Sequence, residues 1–259
     1  MASRSLWNKV WMETRWRFII GVVMLTLLAG AKVFEWVATS HLMPQIDASL
    51  ISANASGVMG AVIRDALEAQ KDFRGFIWYR GFRDNLSIGV IFAILLGCGG
   101  LVSESAKGSV LFTLSLPVTR RDLFNARAFV GLMQCLALAM VPPLMIPILA
   151  PAIGQQFAFV DALAHGVCLL IGGALFFGLA TYLSTLFTDI WRPLVITLAL
   201  ACGVAIASYA IPQVDVFSVM NGAQYYRTGV LPWTGLLASA VVATALLYSA
   251  SETLERRDF

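Results

Sequence analysis

Hydrophobic residues in this chain fall in six long runs, separated by short clusters of polar residues. A hydrocarbon core about 30 Å thick takes about 20 apolar helical residues to cross. The runs are continuous rather than alternating, which favours helices over the short strands of a transmembrane barrel. The pattern predicts a single all-α transmembrane domain over residues 1–259. Its six predicted spans are 18–37, 86–103, 128–149, 163–187, 194–211 and 233–251.

Composition agrees with a chain that lies mostly in lipid. Hydrophobic residues make up 59% and charged residues 13%, where soluble domains average about 25% charged. No basic folded domain is present, so a nucleic-acid partner is not expected. The four cysteines all lie in apolar runs, which supports neither a disulfide framework nor a CxxC metal site. His41 and His165 have no partner at metal-ligand spacing.

Basic residues predict the orientation. With both termini inside, the cytoplasmic segments contain eleven Lys and Arg side chains, and the short outer loops 150–162 and 212–232 contain only Arg227. Cytoplasmic loops are enriched in Lys and Arg, so both termini are predicted to be cytoplasmic. The eleven are Arg4, Lys9, Arg15, Arg17, Lys107, Arg120, Arg121, Arg127, Arg192, Arg256 and Arg257.

The N-terminal segment and the first outer loop have patterns of their own. Apolar residues recur at helical spacing from Leu6 to Thr14, with charges between them, which predicts an amphipathic interfacial helix over 3–16. The loop 38–85 has balanced charges, and 56–73 has the composition of a short helix. Aromatic residues end this loop, and we interpret them as anchors at the membrane surface. They are Phe76, Trp78, Tyr79 and Phe82.

Some features inside the spans are candidates for function. Lys32 and Glu35 are three residues apart in the first span and share a helical face. They either pair or snorkel to the outer surface, or they form an outer gate. Four prolines near the end of the third span predict a kink or break there. A stripe of small residues in the fifth span, 199–207, suits packing within the chain or between two copies.

The segment 104–127 carries the most specific pattern. Glu104 ends the second span, Lys107 and Gly108 follow, and a short apolar stretch runs to Leu116 before Pro117 breaks the helix. Thr119 is a good N-cap for the next helix, with Asp122 three residues on.

This sequence, SESAKGSVLFTLSLPVTRRDLFNAR, resembles the element after the second span of type-2 ABC transporter permeases. The six spans, the inside termini and the interfacial helix agree with that family's layout. The resemblance implies a cytoplasmic coupling helix that contacts a separate ATP-binding subunit. The contact residues that it implies are Glu104, Lys107, Gly108, Val110, Leu111, Leu114, Leu116, Pro117, Arg120 and Arg121.

The resemblance also implies how the protein is assembled and driven. Two permeases, as a homodimer, would join two ATPases in a bacterial inner membrane and export a hydrophobic or amphipathic substrate. ATP and Mg would be bound by the partner, so this chain would be neither an enzyme nor a cofactor protein. It has no GxxxxGK[ST] phosphate loop. The alternatives are a stand-alone secondary transporter and a membrane-embedded lipid-modifying enzyme.

Overall fold

The computed structural model describes residues 2–40, 70–98, 119–210 and 215–256. This part of the chain is built from helices. We number the α-helices α1 to α9 in chain order: α1 Ala2–Thr39, α2 Phe73–Phe76, α3 Phe82–Gly97, α4 Arg120–Leu149, α5 Phe159–Leu186, α6 Trp191–Ala210, α7 Val216–Asn221, α8 Ala223–Thr228 and α9 Trp233–Glu255. A π-helical turn, Ile77–Gly81, joins α2 to α3, and a 3₁₀ turn, Ala150–Ile153, follows α4.

Among the described residues, five helical stretches are long and apolar enough to cross a membrane, and the protein is therefore an all-α, multi-pass membrane protein. They are Trp7–Thr39, Arg121–Ile153, Phe159–Leu186, Trp191–Ser208 and Trp233–Glu255. The predicted second span begins in α3, which is 16 residues long and is described as far as its C-cap, Cys98.

Neighbouring helices have defined relative directions. Helices α1 and α4 are parallel, since a Cβ at Gly21 would contact Leu138 and one at Gly30 would contact Leu149. Helix α3 is antiparallel to α1, because it bonds Arg17 near its end and Lys32 near its start. Helix α5 is parallel to α3, as two contacts from one helix to the other show. These are Phe82 with His165 and Gly97 with Ala180.

The first and last long helices bring their terminal parts to the same end of the bundle. Arg127, near the start of α4, bonds Glu13 of α1 at 2.9 Å, and Arg121 pairs with Glu255 of α9 at 3.7 Å. We call this end the termini end, and the end that contains Thr39 and α2 the distal end.

Helix α5 is the centre of the bundle, because its neighbours approach it at glycines. A Cβ at Gly97 of α3 would lie 2.6 Å from the carbonyl oxygen of Phe177, and one at Gly131 of α4 would lie 2.5 Å from the Phe177 ring. At Gly172, a Cβ would overlap Met220 of α7. Small residues let helix backbones approach closely in membrane proteins. The stripe in α6 differs, since a Cβ at Gly203 meets no described atom within 4 Å.

The structure corrects several predicted boundaries. The segment predicted as a separate interfacial helix, 3–16, continues into the first span within the single 38-residue helix α1. The predicted outer loop 38–85 is already helical from Phe73, and the predicted loop 212–232 contains α7 and α8. The predicted helix at 56–73 lies almost wholly outside the described residues.

The prolines do not break α4 where the sequence predicted. The α-helix passes through Pro142, Pro143 and Pro147 and ends at Leu149. A proline removes one helical N–H donor but leaves the other hydrogen bonds of the turn. The chain leaves the helix in the 3₁₀ turn and reverses at Gly154, whose φ of 71° suits glycine.

Candidate functional site

Four charged side chains form a connected network at the distal end. Lys32 Nζ lies 2.8 Å from Glu35 Oε2 and 2.9 Å from Asp84 Oδ2. Arg80 Nε lies 3.3 Å from Glu35 Oε1. Lys32 and Glu35 pair, which is one of the alternatives that their spacing left open, but the sequence did not single out Arg80 or Asp84. We call Lys32, Glu35, Arg80 and Asp84 the ionic network.

The backbone explains how the ionic network joins two helices. Arg80 lies in the π-helical turn and Asp84 in the first turn of α3, while Lys32 and Glu35 lie on α1. The two stretches are in contact at Gly81, since a Cβ there would lie at an ordinary van der Waals distance, 3.7 Å, from Lys32 Cβ. Lys32 is only 8% exposed. A buried ammonium needs compensating charge, and two carboxylates supply it here.

A second ion pair links α2 to α5 at the same end. Arg74 Nε donates to Asp161 Oδ2 at 2.6 Å and Nη2 donates to Oδ1 at 3.3 Å. The hydrogen bond to Asp161 raises the pKa of Arg74 above its ordinary value, so the guanidinium keeps its charge at any physiological pH. The Arg74 guanidinium also lies over the Tyr226 ring at 5.2 Å, in cation–π geometry.

A layer of buried aromatic side chains packs beside these ion pairs. Phe82 stacks on His165 with ring centroids 3.8 Å apart, and Trp36 packs on Phe76 at 5.3 Å. His165 is fully buried, and its Nδ1 lies 3.1 Å from the carbonyl oxygen of Asn221. We call the layer the aromatic layer: Trp36, Phe73, Phe76, Trp78, Phe82, Phe157 and His165.

The aromatic layer corrects one prediction. Phe76, Trp78 and Phe82 are buried inside the bundle rather than anchored at a membrane surface. His165 is a core residue in the same stack of rings. Because the aromatic run is followed directly by an apolar span, sequence alone does not separate an interfacial belt from a buried layer.

The termini end has a polar network that the sequence did not reveal. Arg17 Nη1 donates to the carbonyl oxygens of Leu95 at 3.0 Å and Cys98 at 2.7 Å. The last carbonyls of a helix lack helical donors, so Arg17 of α1 caps the end of α3. Gln134 of α4 donates to Thr14 of α1 at 2.8 Å. Helix α1 is thus bonded to the end of α3 and to the first half of α4.

The predicted coupling segment falls largely outside the described residues. Eight of its ten contact residues lie there: Glu104, Lys107, Gly108, Val110, Leu111, Leu114, Leu116 and Pro117. The other two are in α4, where Arg120 is the first residue and Arg121 pairs with Glu255 in an exposed position. The predicted N-cap is confirmed, since Thr119 Oγ1 accepts a hydrogen bond from the Asp122 amide at 3.1 Å.

Metal-ligating residues are dispersed through the part of the chain that the structure describes. Within those ranges, His, Cys, Asp and Glu form no group of three that could hold a metal ion. Cys98, Cys135 and Cys168 are buried, and Cys202 is exposed.

Comparison of the chain with protein-family models, with curated proteins and with solved structures found no match. Membership of the type-2 ABC permease family therefore stays a prediction from the sequence.

Proposed function

We propose that this chain is the membrane-spanning subunit of an ATP-driven exporter of the type-2 ABC class. In this proposal, a separate ATP-binding subunit binds and hydrolyses ATP with Mg at the cytoplasmic face of a bacterial inner membrane. Two copies of this chain work with two ATPases. ATP binding rocks the helices between two arrangements, and a hydrophobic or amphipathic substrate moves outward.

One observation carries the proposal: the two residues that flank 99–118 belong to the termini end. Cys98 is held there by Arg17 of α1, and Thr119 caps α4 just before Arg121 pairs with α9. A segment that joins two antiparallel neighbours at the same end as both termini suits a contact with a cytoplasmic motor. The sequence pattern Glu104, Gly108, Leu116-Pro117 falls in that segment.

The charge distribution supports a cytoplasmic termini end. Arg17, Arg121 and Arg127 belong to that end. At the distal end, Arg74 and Lys32 each contact carboxylates on other helices. An excess of Lys and Arg marks the cytoplasmic side. The predicted span 86–103, which begins in α3, completes the six spans of this proposal.

The ionic network is our candidate for the outer gate. It bonds α1 to the start of α3, and α1 also bonds the end of α3 through Arg17. A rigid-body movement of α3 against α1 must therefore break the Lys32–Asp84 pair. A ligand or motor can drive such a change only if it binds the two arrangements with different affinity.

Copurification with an ATP-binding subunit tests the proposal. The wild-type chain, purified from its native membrane, is expected to retain an ATPase whose turnover is vanadate-sensitive. Glu104→Arg should lose that subunit while inserting normally. Glu252→Arg is a matched control, because Glu252 also lies at the termini end but pairs only along its own helix with Arg256. Retention of the ATPase by Glu104→Arg would refute the contact.

Two further measurements separate the proposal from its alternatives. A cysteine introduced within 56–72 should react with a membrane-impermeant reagent in intact cells, and labelling only after lysis would overturn the orientation. Substrate movement in liposomes that contain this chain alone would favour the stand-alone transporter and refute ATP-driven export.

A further inference from the structure

A small cavity lies at the distal end, between the π-helical turn and helix α8. Its volume is about 70 Å³. It is lined by Trp78, Tyr79, Asn221, Ala223, Tyr226 and Arg227. These residues come from two stretches of the chain that are more than a hundred positions apart, so the cavity is a product of the tertiary fold. Its lining combines three aromatic rings, one amide and one cation.

Two of the lining residues carry buried polar atoms that have no hydrogen-bond partner among the residues that the structure describes. They are the indole Nε1 of Trp78, a donor, and the amide Oδ1 of Asn221, an acceptor. Buried donors and acceptors in folded proteins are normally paired with protein, water or ligand. A hydroxyl group can accept from the first atom and donate to the second. Both atoms are covered by their neighbours, so a ligand reaches them only if the lining side chains shift.

The backbone around the cavity is unusual in two places. Trp78 and Tyr79 lie in the π-helical turn Ile77–Gly81, and such turns are frequent at functional sites. Gly222, between α7 and α8, has φ of 71°, and a Cβ there would lie 3.1 Å from the Trp78 ring. Glycine is therefore required for these two helices to reach Trp78. The π-helical turn and Gly222 together shape the side of the cavity that Trp78 lines.

The surroundings of the cavity restrict the chemistry of its occupant. Arg227 is exposed, which favours an anionic group at the rim. Val230 and Trp233, which follow closely in the chain, are large exposed apolar side chains. The volume is about half of the roughly 150 Å³ of an engineered cavity that binds benzene, so only a short polar fragment fits. The occupant thus has a small hydroxyl-bearing tip, an anionic group and an apolar body.

We propose that this cavity binds the head of a phospholipid in which a phosphodiester carries a short hydroxylated group, such as phosphoglycerol. The phosphodiester lies against Arg227, and a hydroxyl lies between Trp78 and Asn221. Binding of this lipid is independent of ATP and of transport. Failure of this site would therefore leave the exporter proposal intact, and the reverse also holds.

A pair of matched lipids tests the hydroxyl requirement. Phosphatidylglycerol and phosphatidylmethanol have the same charge and can have the same acyl chains, but the second has no hydroxyl. We expect the purified full-length protein to retain phosphatidylglycerol at least about fivefold better in native mass spectrometry, because the hydroxyl adds two hydrogen bonds. Equal retention of the two lipids would overturn the proposal.

Variants of the lining locate the site. Trp78→Phe removes the indole N–H and keeps an aromatic ring, and Ala223→Leu fills the cavity without removing a polar group. Each should abolish the preference for phosphatidylglycerol. Trp233→Phe is the matched control, because the same substitution is made at an exposed tryptophan outside the lining. If Trp78→Phe does not fold, the Ala223→Leu variant is the test. An unchanged preference of that variant for phosphatidylglycerol would contradict the site. Free glycerol 3-phosphate that competes as strongly as the lipid would overturn the assignment to a lipid.

Discussion

The Lys32–Asp84 pair offers the most direct test of the ionic network. The perturbation is a double-mutant cycle of Lys32→Met, Asp84→Asn and the combined variant. Lys32→Met should be the more destabilising single change, because Glu35 and Asp84 both lose a partner. Asp84→Asn should cost less, since Lys32 keeps Glu35 at 2.8 Å. The coupling energy of the cycle isolates the pair from these other effects.

The expected magnitude follows from the burial of the two side chains. The side chain of Lys32 is 11% exposed and that of Asp84 is 46% exposed. The pair is therefore intermediate between a buried pair and an exposed one. Exposed pairs contribute about 0–1 kcal/mol, and breaking a buried pair costs about 3–5 kcal/mol. We therefore expect a coupling of about 1–2 kcal/mol, or about 2–8 °C in Tm for a chain of this size.

Thermal unfolding in detergent, followed by size-exclusion chromatography, provides the assay. The Arg256–Glu252 pair is the control, because Arg256 is 82% exposed and the pair joins residues of one helix. Its cycle should give a coupling below about 0.5 kcal/mol. Additive effects of Lys32→Met and Asp84→Asn would refute the ionic network as a bond between α1 and α3.

Three other predictions test the packing and the termini end by the same assay. Gly131→Ala should destabilise by about 1–3 kcal/mol because its Cβ would overlap a ring of α5, whereas Gly173→Ala, which meets no described atom within 4 Å, should be close to neutral. Arg17→Gln should lower Tm by several degrees because α3 loses its charged cap; Arg15→Gln, whose hydrogen bond is within α1, should not. Met220→Ala should cost about 2–5 kcal/mol, since Met220 is fully buried. No loss of Tm in any of these three would contradict the corresponding contact.

Sequence reasoning succeeded where the signal was local. Hydropathy located the long helices, since crossing a hydrocarbon core requires a continuous apolar run. The spacing of Lys32 and Glu35 placed them on one helical face, with pairing as one alternative, and Thr119 with Asp122 predicted the start of α4. Each of these depends on residues within one or two helical turns, so the local pattern contains the physical cause.

Sequence reasoning failed where the cause lies in another helix. Asp84 is about fifty positions from Lys32, and no local pattern indicates that the two meet. Arg17 bonds carbonyl oxygens of α3 that lie about eighty positions further along the chain. The aromatic residues before the second span had the composition of an interfacial belt. Contacts of that stretch with His165 and Asp161 of α5 place it inside the bundle.

Two kinds of interaction therefore hold the helices together at the distal end, the ionic network and the aromatic layer, and they differ in strength. The Lys32–Asp84 pair contributes about 1–2 kcal/mol by the reasoning above. Truncation of a single buried Phe or Trp costs about 3–5 kcal/mol, and Phe76, Trp78 and Phe82 are each at most 1% exposed. Separation of α1, α3 and α5 at this end is thus opposed mainly by the aromatic layer. The ionic network fixes which residues of α1 and α3 face each other, because charges that are moved out of register lose their partners. An outer gate built this way would open only when a driving event, such as ATP binding at the other end, also separates the rings.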